Sequence, residues 1–380
     1  MITSSPISQN QRTPIIDTLR GWALLSVTII NYSGVYGWNN HAVKTEPGKL
    51  TTAVETVTEI IFGSKGWTLL AILFGFGFSA LLKKISENQQ STYLFFIKRM
   101  FWLFVFAFMN SLFYGGDILN DYAFLGIVLL LFYGLNSRAL FIVGIVILLA
   151  TPLLQSYLGS LHVLFAPKDR DTFYELYNRH TLVDHIKANL FMRYKWLLRL
   201  SYAVIFHLIQ LGYLLIGAAM HRSGFLLKTI NDRKTIRNSF FVSSVLSVAI
   251  YYLQAVIEKR EWSFNKYYNL FYIQVLCSMM AVSTGIIWLY VSGKLKRLFA
   301  ALQVVGKMTL TNYITQNIIL FFVLVCYKPA WDLIWYLVLA IVVFILQALF
   351  SQWWLKKYNY GLLEWMWRSL SYERRIQLKK

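Results

Sequence analysis

Charge is what this sequence has little of. Charged residues make up 14% of the 380 positions, where a soluble domain carries about 25%. With 57% hydrophobic residues and a mean hydropathy of +0.51, the chain is no ordinary soluble domain but a polytopic membrane protein. Acidic residues are the scarcer sign, 17 against 37 Lys and Arg, for a net charge of +20. Cysteine is nearly absent. Cys277 and Cys326 both fall inside apolar runs, which argues against an external disulfide and offers no metal-ligand spacing. The sequence holds no internal repeat, no phosphate-cradling glycine loop, no metal motif and no heptad pattern. No cleavable signal peptide is expected, because residues 1–14 are polar and the following apolar run is too long and lacks a small-residue cleavage site.

What is there is a series of long apolar runs. A spanning helix needs about 20 apolar residues, and ten such segments are expected: 15–36, 58–82, 94–114, 118–135, 139–158, 196–221, 239–257, 268–292, 300–326 and 332–354. The fold class is therefore all-α, a polytopic membrane helix bundle forming a single domain over 1–380. Outer loops are expected at 37–57 and 159–195, and an amphipathic tail at 355–380. One side collects Lys83, Lys84, Arg138, Arg222, Lys228, Lys294, Lys356 and Lys357, while acidic residues such as Glu55, Asp117, Asp171 and Glu258 offset the bases of the other. By the positive-inside rule both termini are cytoplasmic. Anionic-lipid attraction accounts for a basic inner face, and a phosphorylated cofactor would also suit it.

The polar exceptions are the informative residues. In DTLRGWALLSVTIINYSGVYGWNNH, residues 17–41, the groups Asp17, Arg20, Thr28 and Asn31 fall on one stripe of the first span, since eleven residues close to within about 20°. Such a stripe faces a bundle core or a wet cavity, because lipid cannot satisfy it. Lys65 in the second span needs a partner or must snorkel. Asp117 and Asp121 follow the Gly115–Gly116 break, where they share a proton, hold a cation or complement a helix dipole. If the third helix continued, Arg99, Asn110 and Asp117 would share a face. The sixth span carries Arg199, His207, Gln210 and His221, and the ninth carries Thr309, Asn312 and Gln316, groups that serve a site or glue helices. The outer stretch DTFYELYNRHTLVDHIKANLF reads as helical, capped by Asp171, and as either a lid or a solvated cap. Trp365, Trp367 and Arg368 suit an interfacial anchor.

Five stretches carry a resemblance over nearly the whole chain: RTPIIDTLRGWALLSVTIINY, LLAILFGFGFSALL, GGDILNDYAFLGIVLLLF, VGKMTLTNYITQN and YGLLEWMWRSLSY. In order and spacing they resemble the YeiB-like family of bacterial membrane proteins. That family resembles, more distantly, the transmembrane acyltransferases that include heparan-α-glucosaminide N-acetyltransferase and the acyltransferase-3 proteins. Those enzymes move an acyl group from cytoplasmic acyl-CoA to a hydroxyl or amine, usually of a sugar, at the outer face. Two departures stand out. The YeiB-like pattern has a histidine late in the third helix where this chain has Asn110, a replacement that would fit a lost reaction. INYSGVYGWNNH resembles the heparan acetyltransferase segment, matching Asn31 and His41.

The resemblance implies an acyl-CoA-dependent acyltransferase of the bacterial inner membrane, with acetyl-CoA or another acyl-CoA as donor. His41 would be base or nucleophile, Asn31 the oxyanion donor, and Asp117 or Asp121 the group orienting His41. Asp17, Arg20, Lys98 and Arg99 would hold the CoA phosphates at the cytoplasmic mouth, with Asn312 and Gln316 completing the donor side. The stripe from Asp17 to Asn31 would line the pantetheine tunnel. The expected partners are acyl-CoA, a sugar-like or lipid-linked acceptor and membrane lipids, with a homodimer left open and no nucleic acid or metal. The same features also suit a transporter or flippase, or a non-catalytic membrane protein.

Overall fold

Backbone groups inside a bilayer must be satisfied within the segment, and this chain satisfies them with helices. The computed structural model describes residues 13–40, 48–87, 92–161, 167–179, 181–327 and 331–380. In order, the first helices are α1 (Pro14–Asn40), α2 (Lys49–Phe62), α3 (Lys65–Glu87), α4 (Thr92–Ser111), α5 (Leu119–Val128) and α6 (Ser137–Ser160). Two short helices follow, α7 (Pro167–Asn178) and α8 (Leu182–Phe191), then α9 (Leu200–Ser223), α10 (Phe225–Ile230), α11 (Arg233–Lys259) and α12 (Phe264–Tyr267). The last are α13 (Phe271–Val291), α14 (Lys296–Lys307), α15 (Thr309–Tyr327), α16 (Leu333–Lys357) and α17 (Leu362–Ser371). Among the described residues there is no strand, only one antiparallel bridge between Tyr358 and Lys379.

Eight helical stretches among the described residues are long and apolar enough to cross a membrane. Each of the ten expected spans has a helical counterpart, but two of these fall outside the eight. The segment Leu119–Phe132 is apolar but short. α1 is long enough, yet Asp17, Arg20, Thr28 and Asn31 dilute its apolar content. It needs less apolar surface because it is the central helix, packed against α3, α14, α15 and α16 with Ala23, Leu24, Tyr32 and Val35 fully buried. α11 and α13 pair at the periphery, where their apolar side chains remain largely uncovered, as a lipid-facing surface requires.

Close packing rests on glycine where α3 meets α9. A Cβ at Gly75 would lie 2.0 Å from the Leu214 carbonyl oxygen, and one at Gly217 would lie 1.9 Å from that of Ile72. Small residues let two backbones approach this far.

Two expected spans are broken rather than continuous. The segment 58–82 is interrupted between α2 and α3, where Ser64 takes a positive φ of 58°. Lys65, only 3% exposed, turns back and donates to the Glu59 carbonyl at 2.7 Å, so it occupies the carbonyl end of α2. The segment 300–326 is α14 and α15, broken at Met308. α14 is amphipathic and buries Phe299, Leu302 and Val305 against the start of α1. Asp171 is not a helix cap: α7 begins four residues earlier, and the cap of this region is Thr181, whose hydroxyl accepts from the Asp184 N–H at 3.1 Å. Trp38 at the end of α1 holds this outer segment by ring contacts with Phe173 and Tyr177.

Lys84, Arg222, Lys356 and Lys357 lie in the last turns of α3, α9 and α16, which marks one end of the bundle as basic. Thr13 and Tyr372 both line a cavity at that end.

Candidate functional site

The basic end encloses a cavity of about 470 Å³. Apolar side chains from α1, α3, α4, α5, α15 and α17 form most of its wall, among them Leu24, Leu70, Leu73, Phe74, Leu103 and Tyr122. The charged groups on the wall are Arg20, Arg99, Lys307 and Arg368 against Asp17 and Glu364, with His221 beside them. Both carboxylates have partners, although Asp17 Oδ2 is buried with none among the described residues. Asp17, 2% exposed, accepts from Arg20 Nη1 at 3.2 Å, the i,i+3 spacing on α1 that the sequence carries. Glu364 accepts from the N–H groups of Leu310 at 2.7 Å and Thr311 at 3.1 Å, and from the Thr311 hydroxyl at 2.6 Å. A helix N-terminus leaves its first N–H groups without intrahelical partners and favours negative charge, so α17 supplies the cap that α15 lacks in its own sequence. Burial holds the Glu364 carboxyl above its ordinary value, and the Thr311 bonds pull it back.

A second polar cluster lies on the far side of α5. At 100° per residue, Ile118, Leu119 and Tyr122 face the cavity while Asp117, Asn120 and Asp121 face away. Asp121 accepts from Arg193 Nη2 at 2.6 Å and Nη1 at 3.2 Å, and its Oδ1 lies 2.8 Å from His207 Nε2. Asp117 accepts from Asn110 Nδ2 at 2.8 Å, and from the Asn120 side chain at 2.7 Å and its N–H at 3.1 Å. Asn317 donates to Asn110 at 3.3 Å and Tyr194 to Asn120 at 3.2 Å, so the cluster ties α4, α5 and α15 to the π-helical turn Met192–Trp196. Asp117, Asp121, Asn110 and Arg193 are all buried.

The structure sorts the expected residues. Asp17, Arg20 and Arg99 come together on the cavity wall. Lys98 does not join them: it points to the tail and pairs with Glu373 at 2.6 Å. Asn312 and Gln316 are helix cross-links away from the cavity. Asn312 donates to Ser351 at 3.0 Å and Gln316 accepts from Thr28 at 2.6 Å. Along α1 the cavity lining runs from Ile16 to Leu24, and the Thr28 hydroxyl further along the stripe is bonded to Gln316. Asn31 keeps a buried Nδ2 with no hydrogen-bond partner among the described residues. His41 lies outside the described residues, and with it the expected pairing to Asp117 or Asp121. Asn110 and Asp117 do meet, though through a turn, because α4 ends at Ser111; Arg99 lies on the Asn110 face of α4 about three turns earlier, on the cavity wall. Asp117 and Asp121 have separate side-chain partners, Asn110 and Asn120 for the first and Arg193 and His207 for the second. Among the described residues, no group of three or more His, Cys, Asp or Glu is placed to hold a metal ion. Sequence reasoning missed Arg193, Lys307 and Glu364 as site groups, and it read His207 and His221 without their partners.

The model of the family described as "Protein of unknown function (DUF418)" matches residues 220–374, a stretch that includes Lys307, Glu364, Trp367 and Arg368. Similar proteins extend over nearly the whole chain. "Uncharacterized protein YxaH" of Bacillus subtilis (strain 168) is 23% identical over 98% of this chain and 97% of its own length. "Uncharacterized protein YeiB" of Escherichia coli (strain K12) is 27% identical over 95% and 96%. No solved structure matches.

Proposed function

We propose that this chain, a multi-pass membrane protein similar to YeiB, works as an acyltransferase that takes its acyl group from acyl-CoA at the basic end of the bundle. The observation that supports this reading is the cavity: cations outnumber carboxylates on its wall, and its depth is lined by apolar side chains. Phosphates suit the first property, and a pantetheine arm with its acyl group suits the second. With the basic end inward, the cavity opens to the cytoplasm and the protein sits in the inner membrane.

The acceptor is a hydroxyl or amine, of a sugar-like or lipid-linked molecule, brought to the outer side. A base takes its proton as the oxygen or nitrogen attacks the thioester carbonyl; the thiolate then leaves with a proton returned from that base. Asn31 is the group proposed to donate to the oxyanion, since its buried amide nitrogen has no other use among the described residues. His41 is the proposed base.

Detergent-purified protein given acetyl-CoA should release free thiol slowly without acceptor and faster with one. Asn31→Ala should cut that release by about 100-fold, with the melting temperature little changed because no bond is broken. No thiol release from the folded protein would refute acyl transfer and favour a transporter.

A further inference from the structure

We propose that His221, in the last turn of α9, is a ligand contact of the cavity: a fixed N–H donor for a phosphate or carbonyl oxygen. The residue lines the cavity and is half-buried. Two contacts hold its ring. It stands at 81° to the ring of Phe76, with the centroids 5.1 Å apart. Its Nδ1 lies 3.0 Å from the hydroxyl of Ser79 on α3. Nε2 has no hydrogen-bond partner among the described residues and is not shut off from solvent.

The Ser79 hydroxyl decides which ring nitrogen carries the proton. Ser79 is 3% exposed, and Nδ1 is the one hydrogen-bond partner of its hydroxyl among the described residues. A buried hydroxyl proton without an acceptor is unfavourable, so Oγ donates to Nδ1. An imidazole that accepts at Nδ1 carries its proton at Nε2. The open nitrogen is therefore a donor even in the neutral ring. Joining α3 to α9 does not by itself explain a histidine here. Those helices already meet backbone to backbone at Gly75 and Gly217. A helical hydroxyl can also be satisfied within its own helix, as Thr28 and Ser111 are by carbonyls four residues back. What the imidazole adds is its second nitrogen. A donor on a mostly apolar wall selects ligands that set an acceptor oxygen against it. In acyl-CoA those oxygens belong to the phosphates and to the carbonyls of the pantetheine arm. Assigning the oxygen to CoA rests on the acyl-transfer reading; the donor does not.

The test has two parts, both on the detergent-purified full chain. Nitrogen NMR of histidine-labelled protein should show His221 protonated at Nε2, its signals assigned by their loss in His221→Gln. A ring protonated at Nδ1 alone would overturn the donor. The second part is a thermal-shift titration with CoA, pantetheine and inorganic pyrophosphate. CoA should stabilise the wild type saturably. His221→Phe keeps a ring beside Phe76 without its nitrogens and should bind CoA about tenfold more weakly, the loss of one hydrogen bond. His221→Gln keeps an N–H near the place of Nε2 and should retain most of the affinity. Ser79→Ala should mix the two tautomers and weaken CoA by a smaller factor; it carries the test alone if His221→Phe does not fold. A loss shared by pantetheine assigns the oxygen to a carbonyl, and a loss shared by pyrophosphate assigns it to a phosphate. Unchanged CoA affinity in His221→Phe would overturn the contact and leave the acyl-transfer reading standing. Equal losses in His221→Phe and His221→Gln would reduce the ring to packing and overturn it as well. Pyrophosphate binding that depends on His221, without binding of CoA, would keep the contact and overturn that reading. No response to any of the three would overturn the contact.

Discussion

The two buried polar regions of this bundle differ in how their charges are compensated. On the outer side of α5, each carboxylate has its partner: Asp121 holds Arg193 and His207, and Asp117 is held by amides. On the basic side of the same helix, cations are in excess and the space between them is open. A closed network contributes rigidity and fixes how helices meet; an open one with surplus charge has binding capacity left over. One short helix therefore separates a structural polar core from a candidate ligand site, although both look alike as intramembrane charges in the sequence.

The sharpest way to break that comparison is to remove one arginine from each side. Arg193→Met strands Asp121 in a buried position and should cost about 3–5 kcal/mol of stability. Adding Asp121→Asn should recover much of that loss, which a melt of the purified protein would read. Arg99→Met strands no carboxylate and should cost only its ring stack, roughly 1 kcal/mol. Equal losses at the two sites would mean that the cavity side is as closed as the outer cluster.

A smaller effect is expected at the latch between α17 and α15. Glu364→Ala removes the cap of α15 and should cost about 1–2 kcal/mol. The carboxyl is raised by burial, so the folded protein binds this proton more tightly than the unfolded chain. Its contribution is thus fully present below the ordinary glutamate range and falls as pH rises through the folded value. Glu364→Gln should flatten that part of the pH dependence of melting while keeping an acceptor for the Leu310 and Thr311 N–H groups. A pH profile identical to wild type would show that Glu364 is not the group responsible.

The helices and the α1 stripe were legible because both depend on local periodicity. Apolar runs mark spans whatever they pack against, and Asp17 and Arg20 lie one turn apart, so their pairing follows from helix geometry. The break at Met308 was not legible, since hydropathy does not register a single turned residue inside an apolar run. Nor were the long-range pairs. Arg193 reaches Asp121 across 72 positions, His207 across 86, and Glu364 reaches Leu310 across 54. Nothing in local spacing joins such residues; the packing of α5, α9 and α17 does. The same limit explains Asn312 and Gln316, whose polarity was plain but whose partners Ser351 and Thr28 come from distant helices.

Lys98 and Arg99 give the smallest and most local test, because they are neighbours on α4 with opposite assignments. Successive helical side chains diverge by about 100°, which sends Arg99 to the cavity wall and Lys98 outward to Glu373. That pair is exposed, with 35% and 57% of the two side chains open to solvent, and exposed pairs contribute about 0–1 kcal/mol. Lys98→Ala should therefore lower the melting temperature barely, and only at low salt, where screening leaves the pair intact. CoA affinity should stay within about twofold, since one screened surface charge bears weakly on a site behind it. A loss of affinity matching that of Arg99→Met would place both residues at the mouth and move the edge of the ligand site from the cavity wall to the surface of the tail.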